Sequence, residues 1–323
     1  MDKYNEIFGV DISKDVLDVM DTKGDHLLFS NNLKGFGSFV KQLSKGSLIV
    51  MEATGYYHYL LAQYLYEHGY FVSVVNPLSV KRFIQMKLSK VKTDKSDAKA
   101  ICEYASLHEV PLYTAKDGNQ AESLHLLRLI DIYLKQSTAL KNKLHGEKTL
   151  GIPSKIVYNS INRSLKMVQK EIQKLEIRLL ELVKEHQQKQ LTLLKTIPVM
   201  GTKTALLLIV LTNGFTRFEN AGQLSSFAGI TPTIRQSGTS IRSKSRISKM
   251  GNKKLRNLLF LCSFSACKYN KACREIYQRI IAKGKSKKLA LIAVCNKLLK
   301  QAFAVAKSGI PYDENYVSNL MAN

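Results

Sequence analysis

The 323-residue chain reads as a mixed α/β domain over 1–115, an α-helical coiled-coil segment over 116–190, and a mainly α-helical domain over 191–323. Short apolar runs bounded by turn residues fill the first third. A heptad of leucine, isoleucine and valine marks the middle, and long apolar runs at helical spacing fill the end. Charge divides the chain at the same points. Lys and Arg balance Asp and Glu at 13 each up to residue 115, exceed them by 14 to 8 over 116–190, and by 22 to 4 from residue 191, for a net charge of +24. No acidic residue lies between Glu219 and Glu275. The last third is therefore the expected polyanion-binding part.

Taken in order, residues 4–20 predict a strand ending near Asp11 and a second around Val16 to Met20, with a turn at Ser13, Lys14 and Asp15. Leu27 to Ser30 gives a third strand and Phe36 to Leu43 a short helix. Ser47 to Met51 is a continuous apolar run of the kind covered on both faces of a sheet, and Glu52 follows it directly. A helix then runs to Gly69, and Tyr70 to Val75 is another buried strand, stopped by Asn76 and Pro77. Residues 78–106 are mostly helical, with a new helix near Thr93. Thr93 as N-cap puts Asp94 and Asp97 in the first turns, three residues apart on one face.

Beyond residue 116 a helical stripe starts at Leu127, Ile130, Leu134 and Ser137. After the breaker Gly151-Ile152-Pro153, a second stripe of Leu165, Val168, Ile172, Leu175, Leu179 and Leu182 keeps heptad steps. Two antiparallel helices could cover each other, or the seam could join two chains; a dimerisation arm is the favoured expectation. Pro198 and Gly201 precede an apolar helix in a turn similar to those of helix-hairpin-helix DNA binders, a weak signal that a plain interhelical turn would match. Core helices follow from Asn252, with Lys283, Lys285, Lys287 and Lys288 in a turn between two of them.

No run approaches the roughly 18 to 20 apolar residues of a membrane span, and the N-terminus lacks a signal-peptide pattern, so a cytoplasmic protein with no membrane partner is expected. Cys102, Cys262, Cys267, Cys273 and Cys295 have no C-x-x-C spacing and read as small buried hydrophobes in a reducing compartment.

Two sets of residues carry chemistry. Asp11 and Glu52 end predicted strands, and Asp94 and Asp97 neighbour one another across a helical turn. Taken singly, these carboxylates are better read as turn caps or helix-dipole partners. As a set on one sheet rim, they cannot stay ionised together without a cation, which points to Mg²⁺, or Mn²⁺ in its place, and to phosphoryl transfer. The second set is the stretch from Arg235 to Arg256, which carries eight Lys or Arg among serines and no carboxylate. Hydroxyls held among such cations sit where a phosphate would rest. Its expected phosphate contacts are Arg235, Arg242, Lys244, Arg246, Lys249, Lys253, Lys254 and Arg256; the plain alternative is a solvated basic loop.

Several blocks resemble one family. G-V-D-I-S-K at 9–14, M-E-A-T-G at 51–55, V-V-N-P at 74–77 and K-T-D-K-S-D-A at 92–98 resemble the RuvC-like, DEDD-type domain of insertion-sequence one-ten family transposases, relatives of the pilin gene invertase. I-P-V-M-G-T-K-T-A, F-A-G-I-T-P and Q-S-G-T-S-I-R-S-K-S-R-I-S-K-M-G-N resemble the family's C-terminal transposase domain, in the family's order. The resemblance implies a ribonuclease-H-like first domain in which Asp11, Glu52, Asp94 and Asp97 bind Mg²⁺. It implies a catalytic serine at Ser237 that forms a 5′-phosphoserine link to DNA. It further implies donor and target DNA and a guide non-coding RNA (a bridge RNA) as partners, nucleoid association in a bacterial cytoplasm, and dimers that pair into tetramers. The acidic site of one protomer would then work with the serine of another. Ser243 and Val199 stand where the family commonly has glycine.

A serine hydroxyl needs activation, and the charge developing on phosphate needs cations, so the implied chemistry suits the residues. The expected activity is an Mg²⁺-dependent, RNA-guided serine recombinase that moves its own element. A site-specific DNA invertase of the same build, a junction nuclease without serine chemistry, and a non-catalytic nucleic-acid-binding protein remain alternatives.

Overall fold

The computed structural model describes residues 4–53, 55–88, 92–115, 117–151, 154–233, 236–237, 241–242 and 246–316, with backbone alone at 236–237 and 241–242. Arg235 and Lys244 lie outside the described residues. The chain divides into two compact units, Met1–Lys116 and Asp117–Asn323.

The first unit is built on one mixed sheet. Its strands are β1 (Ile7–Ile12), β2 (Val16–Asp21), β3 (His26–Ser30), β4 (Leu48–Glu52) and β5 (Phe71–Val75), in the order β3-β2-β1-β4-β5. β1, β2 and β3 form an antiparallel meander, while β4 and β5 run parallel to β1. This arrangement fits the ribonuclease-H-like expectation. The strand alternation sorts side chains onto two faces. Phe8, Val10, Ile12, Leu17, Val19, Ile49 and Met51 pack under α1 (Leu33–Val40) and α2 (His58–Glu67), whose Phe36, Phe39, Leu61 and Leu65 are fully buried.

The opposite face carries Leu48, Val50 and Val75, and is covered by α3 (Pro77–Met86) and α4 (Asp94–Leu107) through Val80, Ile101 and Ala105. Gly9 lets α4 lie directly on β1. A Cβ there would stand 2.3 Å from the Cys102 nitrogen and 2.4 Å from the Ala98 carbonyl oxygen, both helix backbone atoms. Asn76 caps α3, its side chain accepting from the Leu78 N–H, with Pro77 at the first helical position.

The second unit opens with α5 (Gly118–Thr149) and α6 (Lys155–Lys195), which pack along each other, with a kink in α6 at Gln187. Leu165, Val168, Ile172, Leu179 and Leu182 are buried, so the heptad face is covered within a single chain. Of the α5 stripe, Leu127, Ile130 and Ser137 are buried while Leu134 is 42% exposed, and Ile132, Met167 and Ile177 are exposed apolar residues of the same hairpin.

α7 (Thr202–Thr212) is buried almost all round and forms the centre of the unit, in contact with α6 and α9. Val199, in the turn before it, has φ 69°, a left-handed conformation that costs an L residue roughly 1–2 kcal/mol. This is the position at which the family pattern has glycine. α8 (Ala221–Ala228), α9 (Lys253–Tyr269), α10 (Lys271–Ala282) and α11 (Lys287–Ser308) complete the core.

Against the expectation that no run approaches the length of a membrane span, α11 is long and apolar enough for one by length and composition. Its Leu291, Val294, Cys295, Leu298 and Leu299 are instead buried in the core of the unit. Burial also pushes the Cys273 and Cys295 thiols up to about 12, which makes them packing residues rather than nucleophiles.

Between α8 and α9 the chain forms an arm. β6 (Pro232–Thr233) pairs antiparallel with β9 (Arg246–Ile247), and β7 (Gln236–Ser237) with β8 (Ile241–Arg242), Ser237 standing opposite Ile241. The basic serine stretch is thus ribbon at its paired positions, where the sequence suggested a loop.

The candidate catalytic rim and the basic arm

The rim follows from strand alternation. Gly9 faces α4, so Asp11, two residues on, lies on the same face. In the parallel neighbour Leu48 and Val50 face α3 and α4, which puts Glu52 on that face too. Both carboxylates stand one step past the paired residues Val10 and Met51. The start of α4 supplies the other two. Thr93 accepts from the Ser96 N–H at 3.1 Å, and the Ser96 hydroxyl accepts from the Thr93 N–H at 2.8 Å, a reciprocal capping box. Asp94 and Asp97 then fall in the first turn, as the spacing predicts.

Electrostatics tie the four together. The Asp11 carboxyl is raised from 3.8 to about 6, first by burial and then by Asp97, with Asp94 and Glu52 adding smaller repulsions. The Ile12 N–H, donating to Asp11 Oδ1 at 3.0 Å, opposes the rise. A half-buried carboxyl facing three others fits a site completed by a divalent cation, because the ion would reverse each of these penalties. Asp11, Glu52, Asp94 and Asp97 are the residues that would hold it. Among the described residues, no group of three or more His, Cys, Asp or Glu side chains stands in ligating geometry.

One carboxylate on this face escaped sequence reasoning. Asp18 pairs across the β1–β2 ladder with Asp11, is 9% exposed, and has its Oδ1 2.9 Å from His26 Nε2. The run V-L-D-V-M-D has the alternation of a half-exposed strand, and only the helix lying over it makes Asp18 buried.

The arm is fixed at its base. The Ser248 N–H donates to the Thr231 carbonyl at 2.9 Å, the Lys249 N–H to Gly229 at 3.1 Å, and the Asn252 N–H to Phe227 at 2.7 Å. Gly251 makes the last of these contacts feasible, since a Cβ there would sit 2.3 Å from the Phe227 carbonyl oxygen. Arg246, Lys249 and Lys253 are exposed beside this base.

Two of the predicted phosphate contacts have other partners. Lys254 Nζ stands 3.6 Å from Asp131 Oδ1 and 3.4 Å from the Leu127 carbonyl, and burial lowers its pKa. Arg256 donates to the Ala228 carbonyl at 2.8 Å, closing the end of α8. Ser237 and Arg242 are placed by backbone, in β7 and β8.

Residues 8–147 match the DEDD transposase model of IS110 elements, and residues 191–278 match the transposase IS116/IS110/IS902 family. The pilin gene-inverting protein of Moraxella lacunata is 30% identical over 320 residues, 95% of this chain and 97% of that protein. The transposase for insertion sequence element IS1111A of Coxiella burnetii is 26% identical over 326 residues, 90% of this chain and 87% of that protein. A DEDD transposase domain implies dependence on a divalent metal ion. The chain belongs to the IS110 family of transposases, enzymes of DNA recombination.

Proposed function

We propose that the chain is an RNA-guided serine recombinase that excises and integrates its own mobile element. The observation that carries this reading is the convergence of Asp11, Glu52, Asp94 and Asp97 on one rim, in a chain whose second unit presents Ser237 on a basic arm. A divalent ion, when bound at the rim, would stabilise charge on the reacting phosphate and favour the alkoxide of an attacking hydroxyl.

The residues of the chain do the rest. Ser237 Oγ attacks the phosphorus, forming an Oγ–P bond as the P–O3′ bond breaks. The serine proton is lost and the 3′ oxygen takes one up, so the step is neutral in protons. A 3′ hydroxyl of the partner strand then attacks the phosphoserine, restoring the serine and joining new ends. Arg242, Arg246 and Lys249, with Arg235 and Lys244, are assigned to the phosphates on either side. Lys253 extends that grip, and Lys254 and Arg256 add their charge from internal positions. Sequence choice is delegated to the guide RNA, and a homo-oligomer brings the rim of one copy to the arm of another.

The near full-length similarity to a pilin gene-inverting protein favours one second reading, a site-specific invertase of the same build. Both readings share the serine step. Protein incubated with guide RNA, Mg²⁺ and paired DNA sites, then denatured, should carry covalently attached DNA. Ser237→Ala should carry none. A Ser237→Ala adduct equal to wild type would remove the nucleophile assignment, and free 5′ phosphates without adduct would indicate a hydrolytic nuclease.

A further inference from the structure

A cleft of about 480 Å³ lies between α10, α11 and the base of the arm. Its volume is in the range that encloses a nucleotide-sized ligand. The floor is apolar. Ile276 and Ile280 project from successive turns of α10, Ile292 comes from α11, and Pro232 with Ile247 closes the side at a paired rung of the arm. The rim is cationic, formed by Arg246, Arg279, Lys297 and Lys300, and no carboxylate among the described residues lines the cleft. Asn296 adds a polar atom with nothing to satisfy it, its Oδ1 being buried without a hydrogen-bond partner among the described residues.

These features answer different parts of one molecule. An apolar floor accepts the flat face of a base, which gains by leaving water. Four cations at the mouth match the phosphates before and after that base. A carboxamide offers a donor beside an acceptor, the pattern presented by a base edge, and an exocyclic amine would satisfy the buried oxygen. A helix of a protein partner would use the floor, but it would leave the cations and the orphan oxygen unexplained. The cleft also shares Arg246 and Ile247 with the ribbon that leads to Ser237.

We infer that this cleft holds one unstacked base of a single strand, keeping the strand in register with the serine arm. The inference rests on the proposed nucleic-acid role of the second unit. Its ligand class is a nucleotide within single-stranded DNA or RNA, and intact duplex is excluded because a paired base cannot turn into the cleft.

Binding of full-length protein to labelled DNA single strands, RNA single strands and DNA duplex, each of about 20 nucleotides, tests this. Asn296→Leu and the Ile276→Ser, Ile280→Ser pair should weaken single-strand binding about tenfold, the loss expected when one stacked base is given up. Duplex affinity should stay within about twofold of wild type, because phosphate contacts are retained. Greater loss on DNA or on RNA identifies which strand supplies the base, and either supports the cleft.

Equal losses on single strand and duplex, or wild-type binding by both variants, would overturn it. So would a change in sedimentation with unchanged strand affinity, which would make the cleft a self-association surface. If the wild-type protein binds neither form, the nucleic-acid reading itself falls and takes the cleft with it.

Discussion

Replacing Gly9 by alanine tests whether the rim depends on the close approach of α4 to β1. The added methyl would stand 2.3 Å from the Cys102 nitrogen and 2.4 Å from the Ala98 carbonyl oxygen. Ordinary contact requires about 3.4 Å or more, so α4 must withdraw by roughly 1 Å, at a cost of about 1–3 kcal/mol for overpacking. Neither contact atom belongs to a flexible side chain, so no rotamer change relieves the clash. Asp94 and Asp97 travel with α4, while Asp11 and Glu52 stay on the sheet. A displacement of this size in a catalytic group costs on the order of 100-fold in rate.

Urea unfolding and a single-turnover strand-transfer assay would measure the two effects. Gly146→Ala is the control, because nothing lies within 4 Å of its Cβ, and in a helix it should gain about 1 kcal/mol. If Gly9→Ala transfers strands at the wild-type rate, the rim does not need the geometry described.

Two further outcomes follow from charge. Asp11 titrates near 6 when folded and near 3.8 in its ordinary state, so the stability it contributes is complete below 3.8 and is lost as pH rises through 6. In chelator-treated protein, Asp11→Asn should match wild type near pH 4 by thermal unfolding. It should exceed wild type by about 1 kcal/mol at pH 8, a figure discounted for partial exposure, while strand transfer is abolished. A less stable Asn variant at pH 8 would mean that the neighbouring carboxylates do not repel Asp11. On the arm, Lys249→Gln should reduce the slope of log affinity against log salt by about 0.9, whereas Lys254→Gln should leave the slope unchanged. Equal slope changes would place Lys254 on phosphate.

The parts of this molecule that were legible in the sequence are those decided locally. Apolar runs such as Ser47 to Met51 marked the buried strands, and Thr93 with Ser96 marked the start of α4, because cap and helix are written within four residues. The placement of Asp11 and Glu52 near strand ends and of Asp94 and Asp97 in the first turn of α4 was legible because turn and cap residues mark those boundaries. Asp18 was not, since its burial comes from a helix some 80 positions away along the chain. The heptad face was visible in α6, but periodicity does not say whether the cover is α5 or a second copy. The arm was hidden for another reason: two-residue rungs are too short to show alternation, and their pairing is set by the backbone bonds at 227–252, 229–249 and 231–248.

The two halves of the proposed chemistry differ in how they are held. The carboxylates sit on strand ends and a capped helix, with Asp11 raised first by burial and then by its acidic neighbours. Such a frame stores a repulsion that a divalent ion would relieve. Ser237 instead sits on a two-rung ribbon joined to its unit through a base of three backbone hydrogen bonds. In the proposed reaction Ser237 would meet phosphates in two successive strand transfers.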